Sequence, residues 1–321
     1  MAGTKRLIKS FYRLLSPPVI LSFISIAVAS VWLVYEASRP MTTVYLVTPE
    51  KYGQLSSRGA QVTNETWANR DGTPARGWLL RGIPNAPAVV LLHRYGADRS
   101  HLLNLGVKLN EATNFTILMP DQRGHGENPP VEHSSFGGCE SDDVLASIDY
   151  LRGLKSPEQG PLVGKDIGVY GIEMGALAAL NAASADKSIK ALVLDSVPTD
   201  ADGLMSSVIG KRYPFASFVT ARFASLGTYP FYYQGCYKRQ SSCEIARSLS
   251  DRRFLLLGGI DAPEFQDSTS KLSKCFPVNT AVDTKTDLSP SGMGMISASI
   301  TQSEAYDQRV IDYMKQALTM P

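Results

Sequence analysis

Five short apolar runs, at residues 88–92, 116–119, 167–170, 191–194 and 254–257, recur between segments long enough for helices. Runs such as Val89-Val90-Leu91 are apolar on both alternating faces, as strands buried on both sides of a parallel sheet must be. The intervening stretches 99–112, 142–154 and 176–185, and the late stretch 304–318, carry apolar residues at helical spacing. Ahead of them, residues 62–68 alternate in polarity, Asp71-Gly72 turns the chain, and 75–81 returns, which predicts an antiparallel hairpin. A hairpin followed by repeated βαβ units implies an α/β fold, a mostly parallel central sheet covered by helices. About sixty residues separate Leu194 from Phe254, far more than a crossover needs, so an inserted cap is expected at about 199–250.

The 321 residues are 44% hydrophobic and 19% charged, which suits an ordered chain with a sizeable core. Of the formal net charge of +2, the first sixteen residues hold +4 through Lys5, Arg6, Lys9 and Arg13, which leaves −2 over the rest. A basic nucleic-acid face is thereby excluded. Residues 14–35 are twenty-two positions without a charge, roughly 33 Å as a helix, enough to cross a bilayer. Pro17 and Pro18 suit the first turn of such a helix, and Tyr12, Trp32 and Tyr35 resemble interfacial belts. Basic residues before the span place the N-terminus in the cytoplasm and the remainder outside, in the periplasm if the source is bacterial. The competing reading is a signal peptide cleaved after Ala27-Val28-Ala29, although the apolar run continues past it to Tyr35. The expected organisation is a basic tail at 1–16, a single membrane-spanning helix at 17–37, a linker at 38–60 and one domain at 61–318.

Three loop motifs follow these strands in order: His93-Arg94-Tyr95-Gly96, then Asp121-Gln122-Arg123-Gly124-His125-Gly126, then Gly171-Ile172-Glu173-Met174-Gly175. The last has the frame of a nucleophile elbow. Together they resemble the alpha/beta hydrolase family from about Gln61 to Leu318. The resemblance implies a nucleophile on the elbow, an acid after a late strand and a histidine after the last strand. Glu173 stands at the nucleophile position, Asp261 at the acid position, and Arg94 at the oxyanion loop where the family has glycine. The four histidines are His93, His101, His125 and His133, so none can occupy the late loop at 288–300. Arg94 is placed to pair with Glu173 across the former cleft, Asp121 with Arg123 within its own loop, and His93 and His125 to hold loops together. Asp261 without its histidine reads as a surface or capping acid.

The sequence therefore points to a membrane-anchored domain that has lost serine-hydrolase chemistry and serves as a binding or structural module, a subunit of a membrane complex. The alternative is an active ester, lipid or peptide hydrolase in which Glu173 and Asp261 work through water. Neither a cofactor nor a metal is implied, since no CxxC or histidine cluster occurs. Nine aromatics lie within 213–237, either the small core of the cap or an exposed face for lipid or a membrane-protein partner. Cys139, Cys236, Cys243 and Cys275 are either buried thiols or, outside the cytoplasm, disulfides. Cys243 and Cys275 flank the strand at Phe254, which favours that pair, and Cys139 with Cys236 follows less firmly, over a local Cys236–Cys243 loop.

Overall fold

The computed structural model describes residues 2–41, 44–55, 61–233 and 235–319. The chain packs as two compact units, one made of Met1–Ser38 with Met205–Gly235, the other of Arg39–Leu204 with Cys236–Pro321.

The larger unit is built on one eight-stranded sheet. Its strands are β1 (Val62–Ala68), β2 (Pro74–Leu80), β3 (Ala86–Leu92), β4 (Thr116–Pro120), β5 (Val163–Ile172), β6 (Ile189–Asp195), β7 (Arg253–Gly259) and β8 (Ala281–Leu288). In space they run β1-β2-β4-β3-β5-β6-β7-β8, antiparallel across the first two pairings and parallel from β4 to β8. The helices of the chain are α1 (Ala2–Ser38), α2 (Pro49–Leu55), α3 (Leu103–Thr113), α4 (Cys139–Gly153), α5 (Met174–Ala185), α6 (Ala201–Arg212), α7 (Ser217–Phe231), α8 (Ser242–Ala246), α9 (Pro263–Leu272) and α10 (Ile300–Thr319).

The period of two along each strand decides the layers. Val90, Leu92, Val169, Leu192 and Leu256 point to one face and form a core with Val144, Ile148 and Leu180 of α4 and α5. Val89, Leu91, Ile117, Val193 and Leu257 point to the other, against Leu103 and Leu109 of α3 and Val310 and Met314 of α10. β8 is one of the two edge strands, exposed along most of its length. Its sequence carries neither the doubly apolar run that marks the buried strands nor the alternation and turn that mark the hairpin of β1 and β2.

The expected linker is not a free tether. Tyr45 donates its hydroxyl to Asp121 Oδ2 at 2.6 Å, Leu46 N–H donates to Ser100 Oγ at 3.0 Å, and α2 carries Tyr52, whose hydroxyl donates to Asn104 at 3.3 Å. Cys139 is bonded to Cys236 and Cys243 to Cys275, with Cα separations of 4.9 and 5.3 Å.

In the smaller unit, the segment Pro17–Ser38 of α1 is long and apolar enough to cross a membrane by length and composition. Residues 17–29 are exposed all round, whereas Ser30, Val34, Ala37 and Ser38 form a buried stripe. Gly227 of α7 lies directly on the Ser30 carbonyl, where a Cβ would collide with backbone. Close approach of two helices over small residues is the packing mode favoured in membranes.

Candidate active site

The elbow sits where β5 ends and α5 begins. Glu173, between them, has φ 51° and ψ −107°, a left-handed conformation that costs a side-chain-bearing residue of order 1–3 kcal/mol and persists only where its surroundings over-determine it. They do so here. Glu173 N–H donates to the Asp195 carbonyl at 2.9 Å and its own carbonyl accepts from Leu177 N–H at 3.0 Å. A Cβ on Gly171 would strike the Gly175 backbone, and one on Gly175 would lie 2.7 Å from the carbonyl oxygens of His93 and Leu92. The two glycines thus let the turn close tightly against β3. The Glu173 side chain is buried and its Oε2 accepts the backbone N–H of Tyr95 at 2.9 Å.

Tyr95 belongs to the oxyanion loop. Arg94, beside it, does not pair with Glu173 as the sequence suggested; its guanidinium donates to the Tyr95 carbonyl at 3.2 Å. The backbone of Tyr95 therefore serves both charges, its N–H donating to the carboxylate and its C=O accepting from the cation. His93 is buried, accepts Gln122 N–H on Nε2 at 3.1 Å and donates from Nδ1 to the Arg94 carbonyl at 2.8 Å. Both ring nitrogens are thus committed to holding loops. Burial pushes His93 down to about 4 and His125 down to about 3, so both rings are neutral. His125 binds the Arg123 carbonyl through Nδ1 at 2.8 Å and leaves its buried Nε2 without a partner, and the residue lines a cavity of about 20 Å³, room for about one water.

The expected Asp121–Arg123 pair is replaced by longer-range partners. Asp121 takes the Arg99 backbone N–H at 3.0 Å and lies 3.5 and 3.6 Å from the guanidinium groups of Arg76 and Arg99. Arg123 reaches instead to Asp143 at 2.5 Å and Asp71 at 3.1 Å. Each of these pairs ties the loop after β4 to another element, which a local pair could not do.

Asp261, after β7, accepts both the backbone N–H and the hydroxyl of Ser291, each at 3.0 Å. Ser291 thereby occupies the place of the partner that a histidine would supply. A further carboxylate, missed in the sequence, completes this edge. Asp195 ends β6 fully buried, and its oxygens accept Gly292 N–H at 2.8 Å, the Tyr306 hydroxyl at 2.6 Å and the Ser196 hydroxyl at 2.7 Å. Burial pushes its carboxyl up, against the lowering effect of those donors. Its position at the end of an apolar strand beside the elbow strand is the signal that could have revealed it. The backbone of Asp195 holds Glu173, its side chain holds Gly292, and the neighbouring Ser291 holds Asp261, so the three carboxylates share one continuous framework.

A cavity of about 230 Å³ opens at this edge, walled by Leu102, Leu105, Ile172, Met293 and Met295, with Arg94, His101, Asn104, Tyr306 and Asp307 among its polar members. Ile172 immediately precedes Glu173. Apolar walls with a few convergent polar groups are the usual form of a small-molecule site. Among the described residues no cluster of three metal-ligating side chains is found.

No family model matches the chain. It is 25% identical to the thiohydrolase aneE of Aspergillus aculeatus over 124 residues, covering 38% of this chain and 37% of that protein. It is 26% identical to a thiohydrolase of Eupenicillium brefeldianum over 132 residues, 40% of this chain and 41% of the other. The chain thus spans about two fifths of the length of these curated relatives. Among solved structures it is similar to the Pyrococcus furiosus esterase Pf2001, with a TM-score of 0.63, 19% identity and coverage of 87% of this chain and 99% of that one. It is also similar to the alpha/beta hydrolase GrgF of a Penicillium species, with a TM-score of 0.58, 14% identity and coverage of 81% and 100%. These likenesses correct the expectation of a non-catalytic module or complex subunit, because the similar proteins are named for hydrolysis and none for a structural role. By its strand order, its strained elbow at Glu173 and its likeness to these structures, the chain is a protein of the alpha/beta hydrolase fold.

Proposed function

We propose that the chain is a membrane-anchored hydrolase of acyl esters, thioesters above all, in which Glu173 acts as the base on an attacking water. The observation that carries this reading is the elbow itself: strained backbone holds a buried carboxylate at the nucleophile position, steadied by Tyr95 N–H at 2.9 Å. Glu173 takes a proton from water, the hydroxide adds to the acyl carbon, and the negative charge gathering on the carbonyl oxygen is met by the Arg94 guanidinium in the cavity wall. Collapse of the adduct breaks the acyl–sulfur bond and releases the acid and a thiolate, and Glu173 then gives its proton up to solvent, which restores the carboxylate. No histidine follows β8 to protonate the leaving group. A thiolate, whose conjugate acid has a pKa of about 8.5, can leave without that help, whereas an alkoxide or amide anion cannot. The thiohydrolase names of the curated relatives support the same choice.

In this reading α1 crosses the membrane with its N-terminus in the cytoplasm and the sheet domain outside. The four basic residues before the span and the two disulfides support that topology. The test of function uses full-length protein in detergent with short and medium acyl thioesters and the matched oxygen esters. Thioester turnover is expected, lost in Glu173→Gln and unaffected by a fluorophosphonate. No turnover by the unaltered protein, or equal turnover by Glu173→Gln, overturns it.

A further inference from the structure

α7 belongs to the same compact unit as α1, and two contacts set their relative level. Arg212, at the end of α6, binds Glu36 at 2.9 Å, while Gly227, late in α7, rests on Ser30, six residues nearer the N-terminus of α1. Six residues are about 9 Å along a helix axis, so the chain descends between Arg212 and Gly227 toward the exposed apolar stretch of α1. Ser30 is also the boundary on α1: everything from 17 to 29 is exposed, and the buried stripe starts there.

At that level α7 turns apolar side chains outward. Leu226 is 60% exposed, Tyr229 61% and, just beyond the helix, Tyr233 82%. The sequence from 223 to 237 contains no charge and is bracketed by Arg222 and Lys238. Exposed apolar side chains of this size mark an interaction site, and tyrosines suit the headgroup boundary, where one end of the ring is apolar and the other wet. The patch is continuous with α1 at the point where α1 becomes apolar on all sides. We propose that the C-terminal half of α7 is a second membrane anchor, with Leu226, Tyr229 and Tyr233 seated in the interface of the leaflet that α1 leaves. The occupant of this face is lipid. The proposal rests on the reading of α1 as a membrane span.

The test keeps the two readings apart. Ile24→Cys in α1, Leu226→Cys and Tyr233→Cys in and after α7, and the exposed Val278→Cys are each introduced into the full chain and labelled with bimane. The labelled proteins are reconstituted into phosphatidylcholine–phosphatidylglycerol vesicles carrying doxyl lipids, after non-reducing peptide mapping has verified both disulfides. Ile24 is expected to be quenched strongly, Leu226 and Tyr233 to be blue-shifted and quenched most by doxyl groups near the headgroup, and Val278 to be unaffected. Quenching at Ile24 with none at Leu226 and Tyr233 would overturn the proposal alone and leave that face to water or a protein partner. Loss of quenching at Ile24 as well would overturn the span first and the second anchor with it.

Discussion

Tyr95 N–H donates to Glu173 Oε2 at 2.9 Å, joining the oxyanion loop after β3 to the elbow after β5. The geometry that usually awaits a developing oxyanion here steadies a side chain of the protein. An acyl-enzyme route through a hydroxyl is therefore not simply one substitution away. Glu173→Ser is expected to gain neither serine-hydrolase turnover nor fluorophosphonate labelling, since no histidine follows β8 to act as its base and His93 commits both ring nitrogens to the loops. Labelling followed by intact-mass measurement checks this.

The elbow is also a packing constraint. Gly175→Ala would bring a methyl to 2.7 Å from two backbone carbonyls, those of His93 and Leu92. Overpacking against backbone costs about 1–3 kcal/mol, so Tm should fall by several degrees. Thermal unfolding of the variant beside Gly153→Ala, which meets nothing within 4 Å, separates crowding from the general effect of replacing glycine.

Acid should weaken the fold through its buried histidines. His125 is lowered to about 3 from an unfolded value near 6.5, so the unfolded state binds the extra proton first as pH falls. Its contribution is complete above about pH 6.5 and is lost progressively as pH falls toward about 3, a loss on the order of several kcal/mol. Asp143 works in the opposite direction, because burial raises its carboxyl to about 6 and the folded state gains from its protonation. The informative quantity is a difference: denaturant unfolding between pH 7 and 5 should show a shallower loss of stability in His125→Gln than in the unaltered protein.

The Cys243–Cys275 bond closes a separation of 32 residues. Paired Cys243→Ser and Cys275→Ser substitutions should cost about 3–4 kcal/mol in the chain-entropy account. Equilibrium unfolding under non-reducing conditions measures the loss, and a variant as stable as the parent would contradict it.

Much of this architecture was legible in residues 88–92, 167–170 and 254–257, because strands buried on both faces must be apolar at every position. The Cys243–Cys275 pair was accessible for a related reason, since both residues flank β7 and the order of elements brings them to one end of it. β8 was not legible, because an edge strand may expose one side and so carries the polar pattern of a loop. Asp195 was hidden for a different reason. Its partners Gly292 and Tyr306 lie 97 and 111 positions away, so its place at the end of the strand beside the elbow strand is the one mark of it that the sequence carries.

The sequence by itself determined the layers of the domain, the apolar stretch that becomes α1, and the absence of a serine at the elbow and of a histidine after β8. Each of these depends only on which residue types stand in which order. Tertiary structure alone decided that Arg94 turns to a carbonyl rather than to Glu173, that Ser291 fills the place beside Asp261, and that α7 meets α1 at Ser30. Those outcomes depend on which polar groups arrive within about 3 Å of one another after folding, a distance set by elements far apart in the chain and invisible in the order of its residues.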